Sequence, residues 1–130
     1  VENRAIVSVQ DPIEIDDFNE PEPDIALLKP RGDFYSMNHP TVKDILLLVE
    51  VSDSPIEYDR DIKIGIYAEA GIAEIWLVDL NEETIEQYLF PENGRYGSIE
   101  TFRRGDSIQS DSLAELSLEV SAVLGLIKNG

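Results

Sequence analysis

Apolar positions along this chain fall into short runs separated by polar segments rich in Pro, Gly and acids. Residues 4–10 (RAIVSVQ) alternate weakly and suit a strand. Residues 11–22 carry two prolines, six acids and no periodicity, which is loop composition. Ile25-Ala26-Leu27-Leu28 is a continuous apolar run of buried-strand type, entered through Pro23-Asp24. Residues 29–41 return to loop composition, with Pro30, Gly32 and Pro40, and hold Lys29, Arg31 and the one histidine, His39. Residues 44–51 (DILLLVEV) make the strongest strand. They show no alternation, which predicts a central strand covered on both faces.

Ser54-Pro55-Ile56-Glu57 matches a capping box with proline at the first helical position. A helix is predicted from there to Ala70, with Gly71 as its stop. Ile62 and Ile66 share one face of it, and Lys63 and Tyr67 form the adjacent stripe. Gly65 costs roughly 1 kcal/mol relative to alanine inside a helix, which suggests a close packing contact there. Residues 74–80 (EIWLVDL) are a second strong strand. Residues 84–90 and 96–103 alternate like a hairpin around Pro91-Glu92-Asn93-Gly94. A short strand begins near Gly105, residues 113–118 read as irregular, and residues 119–127 as a short helix. This order predicts an α/β domain with a mixed sheet. Residues 45–80 are the size of one βαβ unit, so its two strands are expected to run parallel.

Composition bounds the chemistry. The 130 residues fit a single domain, and 42% hydrophobic content excludes a disordered chain. With 27 acidic and 10 basic residues the net charge is −17. Such a field repels nucleic acid at long range, so any chemistry on a phosphate backbone needs local cations, a metal or a partner. There are no cysteines. Disulfides, thiolate catalysis and cysteine-bound zinc are excluded, in agreement with a reducing cytoplasm. No apolar run approaches the length of a membrane span, and no secretory pattern opens the chain. The sequence starts at Val1 inside strand-like residues, so a preceding amino-terminal segment is expected.

Two acids stand out by position. Glu50 lies between Val49 and Val51 at the end of the greasiest strand, where an unpaired carboxylate is costly. Asp24 sits at the mouth of another apolar run. If those strands are neighbours, the two carboxylates converge. With the carbonyl of Val51 and water they make an oxygen-rich site suited to Mg²⁺ or Mn²⁺. Lys63 follows Glu50 by 13 residues, on a helix folding back along its strand, and its stem leans toward the helix start. Its ammonium could orient an attacking water and stabilise charge on a phosphoryl group.

The blocks Pro23-Asp24-Ile25-Ala26-Leu27-Leu28, Leu48-Val49-Glu50-Val51-Ser52-Asp53-Ser54 and Tyr58-Asp59-Arg60-Asp61-Ile62-Lys63 lie in this order. They are followed by Tyr67-Ala68-Glu69-Ala70-Gly71-Ile72-Ala73-Glu74-Ile75-Trp76-Leu77-Val78-Asp79. Together these blocks resemble the Uma-two family, common in cyanobacteria, of the PD-(D/E)XK restriction-endonuclease-like superfamily. The resemblance runs from about Gln10 onward. It implies one restriction-endonuclease-like domain over residues 1–130, with a mixed sheet flanked by helices and a divalent-metal endonuclease site acting on DNA. Asp24 takes the place of the PD aspartate, Glu50 of the second acid and Lys63 of the lysine. The superfamily usually has its lysine two residues after the second acid, where this chain has Ser52. The lysine of families like this one lies on the following helix, which fits Lys63. A further acid often comes from an amino-terminal helix. A homodimer is expected by analogy, since a duplex has two strands.

Each of these residues also has a plain structural explanation. Asp24 could cap a turn, Glu50 could sit in a structural ion pair, and helix lysines are usually solvated. His39 reads as a surface residue, Tyr58 and Tyr67 as packing, Trp76 as core. Arg60, Arg103 and Arg104 are the few cations available to phosphates. The alternative function is a non-catalytic binding or assembly module on the same fold, which the charge of −17 favours.

Overall fold

A computed structural model describes residues 6–9, 24–30, 40–52 and 58–129. Among these, six strands form one sheet in sequence order: β1 (Ile6–Val9), β2 (Ile25–Leu28), β3 (Ile45–Ser52), β4 (Glu74–Asp79), β5 (Thr84–Glu92) and β6 (Arg95–Arg103). All neighbours are antiparallel except β3 and β4, which are parallel. That parallel pair is the expected βαβ unit. Its crossover is helix α1 (Tyr58–Ala70). A second, two-stranded sheet pairs β7 (Ser107–Gln109) with β8 (Ser117–Glu119), and helix α2 (Val120–Asn129) ends the described chain.

The sheet has a core on each face. On one, Ala26, Leu28, Leu48, Ile75 and Leu77 pack beneath Tyr67 and Ala68 of α1. On the other, Leu47, Trp76, Val78 and Ile85 meet Ile108 of β7 and Val120 and Leu124 of α2. Residues of both parities in β3 and β4 are therefore buried. This is why the two strands carry near-continuous apolar runs rather than alternation.

Several boundaries differ from the sequence expectation. Asp44 belongs to a 3₁₀ turn (Val42–Asp44) ahead of β3, and its carboxylate accepts the Thr41 amide at 2.9 Å. The hairpin turn is tighter than the four residues expected. Pro91 and Glu92 still pair with Tyr96 and Arg95, leaving Asn93 (φ 54°) and Gly94 (φ 75°) as the two-residue tip. Two successive positive φ angles match the right-handed twist of the strands. Residues 113–118 were expected to be irregular, but Ser117–Glu119 pair with β7. Three exposed residues give no period to read, and only the distant partner strand makes them a strand.

Helix α1 ends as predicted. Gly71 takes φ 86°, the Ile72 amide bonds to the Tyr67 carbonyl, and the Gly71 amide bonds to the Ala68 carbonyl. That is a Schellman closure, which needs the left-handed residue that glycine supplies. The capping box at residues 54–57 lies outside the described residues. The buried face of α1 is not the Ile62/Ile66 stripe, since Ile62 is 45% exposed. The helix turns Ile64, Tyr67 and Ala68 to the sheet. The packing contact expected at Gly65 is also absent, because a β-carbon there would meet no atom within 4 Å.

On the α2 face lies a buried carboxylate, Glu74, fully enclosed. It accepts hydrogen bonds from the Trp76 indole (2.8 Å), the Gln87 amide (2.8 Å), the Ser110 hydroxyl (2.7 Å) and the backbone amides of Asp111 (3.2 Å) and Ser112 (2.9 Å). Five donors tie β4, β5 and the segment after β7 to one charge. Burial alone would raise its pKa. The donors, with the Ser112 amide foremost, outweigh that and hold it below the ordinary value.

Two predictions follow from this packing. Gly65→Ala raises stability by about 0.5–1 kcal/mol, read from the urea midpoint, because the added methyl meets nothing and the unfolded chain loses freedom. The stability that Glu74 contributes over Glu74→Gln is complete at neutral pH. A group whose folded pKa is depressed loses its contribution as pH falls through that depressed value. The gap between the two proteins therefore closes below about pH 4.5, measured by denaturant unfolding at a series of pH values.

Candidate active site

The ladder between β2 and β3 pairs Ile25 with Val49. Asp24, one residue earlier, therefore stands beside Glu50, one residue later. Residues opposed across an antiparallel pair point to the same face. Here that is the α1 face. The Asp24 carboxylate is half-buried and accepts the backbone amide of Val51 at 2.7 Å. The Ser52 carbonyl accepts from Leu80, on the β4 side. Alternation along the strand turns the polar groups of Val51 the other way, toward Asp24.

Glu50 is 5% exposed. Its two oxygens are both engaged by α1. The Tyr67 hydroxyl donates to Oε2 at 2.6 Å, and the Lys63 ammonium donates to Oε1 at 3.1 Å. Lys63 and Tyr67 are four residues apart, so one helical stripe supplies both. The helix can do this because it starts near the carboxyl end of β3 and returns along it. Desolvation is the largest influence on Glu50 and raises its pKa. The Tyr67 hydroxyl and Lys63 oppose that rise, and the neighbouring charge of Asp24 adds to it. Burial and the Glu50 charge likewise push the Tyr67 phenol far up, so it stays a neutral donor.

The structure thus brings Glu50 and Lys63 into contact and sets Asp24 beside them, one residue ahead of the adjoining strand. The role of Tyr67 was missed by sequence reasoning, which treated it as packing. Its spacing of four from Lys63 was the available signal. Two of the arginines named as available to phosphates lie elsewhere. Arg104 forks onto Glu83 at 3.0 and 3.2 Å, a surface pair at the far edge of the sheet. Arg103 is exposed on β6. His39 and Asp53 lie outside the described residues. Trp76 is core, as expected, with its indole on Glu74. A surface depression of about 510 Å³ lies at the hairpin tip, lined by Glu92, Asn93, Arg95, Tyr96 and Gly97, and shares no residue with the acidic site.

Whether these residues suit a divalent cation depends on the donor set. Two carboxylates with one lysine leave an excess negative charge, and all available donors are hard oxygens, the kind Mg²⁺ and Mn²⁺ prefer. Among the described residues no cluster of three or more Asp, Glu, His or Cys side chains could hold a metal. Two acids must therefore be supplemented by backbone oxygen and water, which suits Mg²⁺, an ion that keeps several waters.

Sheet order and crossover helix define an α/β domain with a mixed sheet. The chain belongs to the Uma2 (Uma-two) family, described as "Putative restriction endonuclease", whose sequence profile matches residues 1–121. The fold is similar to a crystal structure described as "a putative nuclease belonging to DUF820 from Anabaena variabilis ATCC 29413". That likeness has a TM-score of 0.72 at 20% identity and covers 95% of this chain and 69% of the other. At that identity the likeness is one of fold, and it bears out the restriction-endonuclease-like architecture read from the motif blocks. No curated protein matches the sequence. No described helix is long and apolar enough to cross a membrane.

The raised pKa of Glu50 means that folding disfavours its ionised form. Stability tied to this group is present at low pH and lost as pH rises through the raised value. Glu50→Gln keeps the shape and removes the buried charge. Its melting temperature at pH 7 is expected to equal or exceed that of the wild type, checked by thermal unfolding.

Proposed function

We propose that this protein is a divalent-metal-dependent endonuclease that hydrolyses phosphodiester bonds in DNA. The observation that carries the reading is the 3.1 Å contact between the Lys63 ammonium and Glu50, with Asp24 just ahead of the neighbouring strand. Asp24, Glu50 and the carbonyl of Val51 would hold Mg²⁺ or Mn²⁺. Such an ion, when bound, polarises a phosphoryl oxygen and acidifies water. The chain's own residues supply the rest. Asp24, at the mouth of β2, is anchored by the Val51 amide, which fixes the spacing of the two acids. Glu50 is held from behind by Tyr67 in a water-poor layer, where its charge acts with little screening. Lys63 is half-exposed, so its ammonium can face a phosphate arriving from solvent. There it orients the attacking water and stabilises charge building on the phosphoryl oxygens.

A second reading, a non-catalytic binding or assembly module, draws on a different observation. The chain carries a net charge of −17. Exposed cations able to hold a phosphate backbone are few, and Arg104 is already spoken for by Glu83.

A nicking assay separates the two. Wild-type protein with Mn²⁺ is expected to relax a supercoiled plasmid. Asp24→Ala, Glu50→Ala and Lys63→Ala should each lower the rate by roughly 10²-fold or more. Cleavage surviving all three substitutions would place the chemistry elsewhere. Wild-type protein inert with both Mg²⁺ and Mn²⁺ would favour the module.

A further inference from the structure

Both oxygens of Glu50 are already taken. The Tyr67 hydroxyl holds Oε2 and the Lys63 ammonium holds Oε1. A cation drawn to this carboxylate must share or take over one of them. The two occupants differ in freedom and in charge. Tyr67 is completely buried and packs with Leu48, Ile75 and Leu77 beneath the helix. Its ring cannot leave without opening a cavity. The Lys63 side chain is 44% exposed, on a flexible stem that can carry its head to water. The tyrosine is neutral and orients the carboxylate. The ammonium bears the same sign as a metal and repels it at contact distance.

We propose that Tyr67 is the fixed positioning residue of Glu50, and that Lys63 is a displaceable counter-cation that a divalent ion drives off Oε1. This inference rests on the metal-site reading above. In the metal-free protein Lys63 partly neutralises a carboxylate that would otherwise stand buried and unpaired. With Oε1 given up to the incoming ion, the ammonium turns outward, to the side from which a phosphate approaches. Tyr67 keeps Oε2 throughout and so presents the other oxygen in one direction. One helical stripe thereby supplies a rigid partner and a mobile one to the same carboxylate.

The two roles predict opposite effects on metal affinity. Titration calorimetry with Mn²⁺ on the full chain is the test. Lys63→Met removes the competitor and should bind about fivefold tighter than wild type, the value of a half-exposed ion pair. Tyr67→Phe loosens a residue that orients a metal ligand and should bind about tenfold weaker or worse. Lys43→Met, at an exposed lysine in the turn before β3, should match wild type. Lys63→Met at a half-exposed position keeps the test decisive even where Tyr67→Phe fails to fold. A second readout uses ¹³C-methylated lysines. The Lys63 signal, assigned by its loss in Lys63→Met, should shift on titration with Mg²⁺ in wild type and stay put in Glu50→Gln. Equal or weaker Mn²⁺ binding by Lys63→Met, or unchanged binding by a folded Tyr67→Phe, overturns the division of roles and leaves the metal site standing. No binding by any of these proteins overturns the metal reading and this inference together.

Discussion

The carboxylate of Glu50, buried near the end of a central strand, is the constraint around which one face of this protein is arranged. A lone charge at that depth is unfavourable by several kcal/mol. It persists because α1 delivers a hydroxyl and an ammonium to its two oxygens from consecutive turns of one stripe. That requirement sets the position of the helix. Tyr67 must reach Glu50 while Ala68 and Ile64 pack on the sheet, and the glycine closure at Gly71 then turns the chain into β4. The Tyr96 hydroxyl meets the helix end from the other side, donating to the Ile72 carbonyl at 2.7 Å just past that closure. The helix is thus held by the site from its middle onward and by the hairpin just past its end.

The sheet carries a buried glutamate on each face, and the two are satisfied in opposite ways. Glu74 is met by five neutral donors and no cation. Its charge is so well solvated by the protein that ionisation is favoured. It acts as a rivet between β4, β5 and the turn beyond β7. Glu50 is met by one buried hydroxyl, one half-exposed ammonium and a second acid nearby, and its ionisation is disfavoured. Saturation by fixed donors marks a structural charge. A carboxylate whose charge is met by two donors beside another acid, one of them a half-exposed ammonium, is the kind of perturbed group that clusters at functional sites. Both residues precede or end an apolar run in the same βαβ unit, so strand position alone does not tell them apart.

Much of the architecture was legible because it is written in local pattern. Unbroken apolar runs at β3 and β4 signalled strands covered on both faces, and the helix-sized segment between them required a parallel crossover. Gly71 marked the helix stop through the positive φ angle it accepts, and Pro91-Glu92-Asn93-Gly94 placed the hairpin turn, though two residues too long. Where pattern was thin, the expectation failed. Three exposed residues of β8 become a strand only by pairing with β7. The rotation of α1, which the sequence left open, turns Ile64 and Tyr67 inward, because its polar partner Glu50 decides that rotation as much as its apolar residues do. Gly65 was read as a contact and has none.

The candidate acids and the lysine were named from residue type and placement, and the family from the order of four motif blocks. The chain alone determined which side chains were available to such a site and on which elements they ride, since both follow from local composition and spacing. Only the tertiary structure decided that Asp24 lies across the ladder from Glu50, that a tyrosine taken for packing holds the second oxygen, and that Glu74 takes five neutral donors while Glu50 takes a hydroxyl and an ammonium. Those facts depend on which strands pair, in what register, and how a helix rolls on a sheet. They are relations between residues far apart in sequence, set by the joint packing of many side chains rather than by any one stretch.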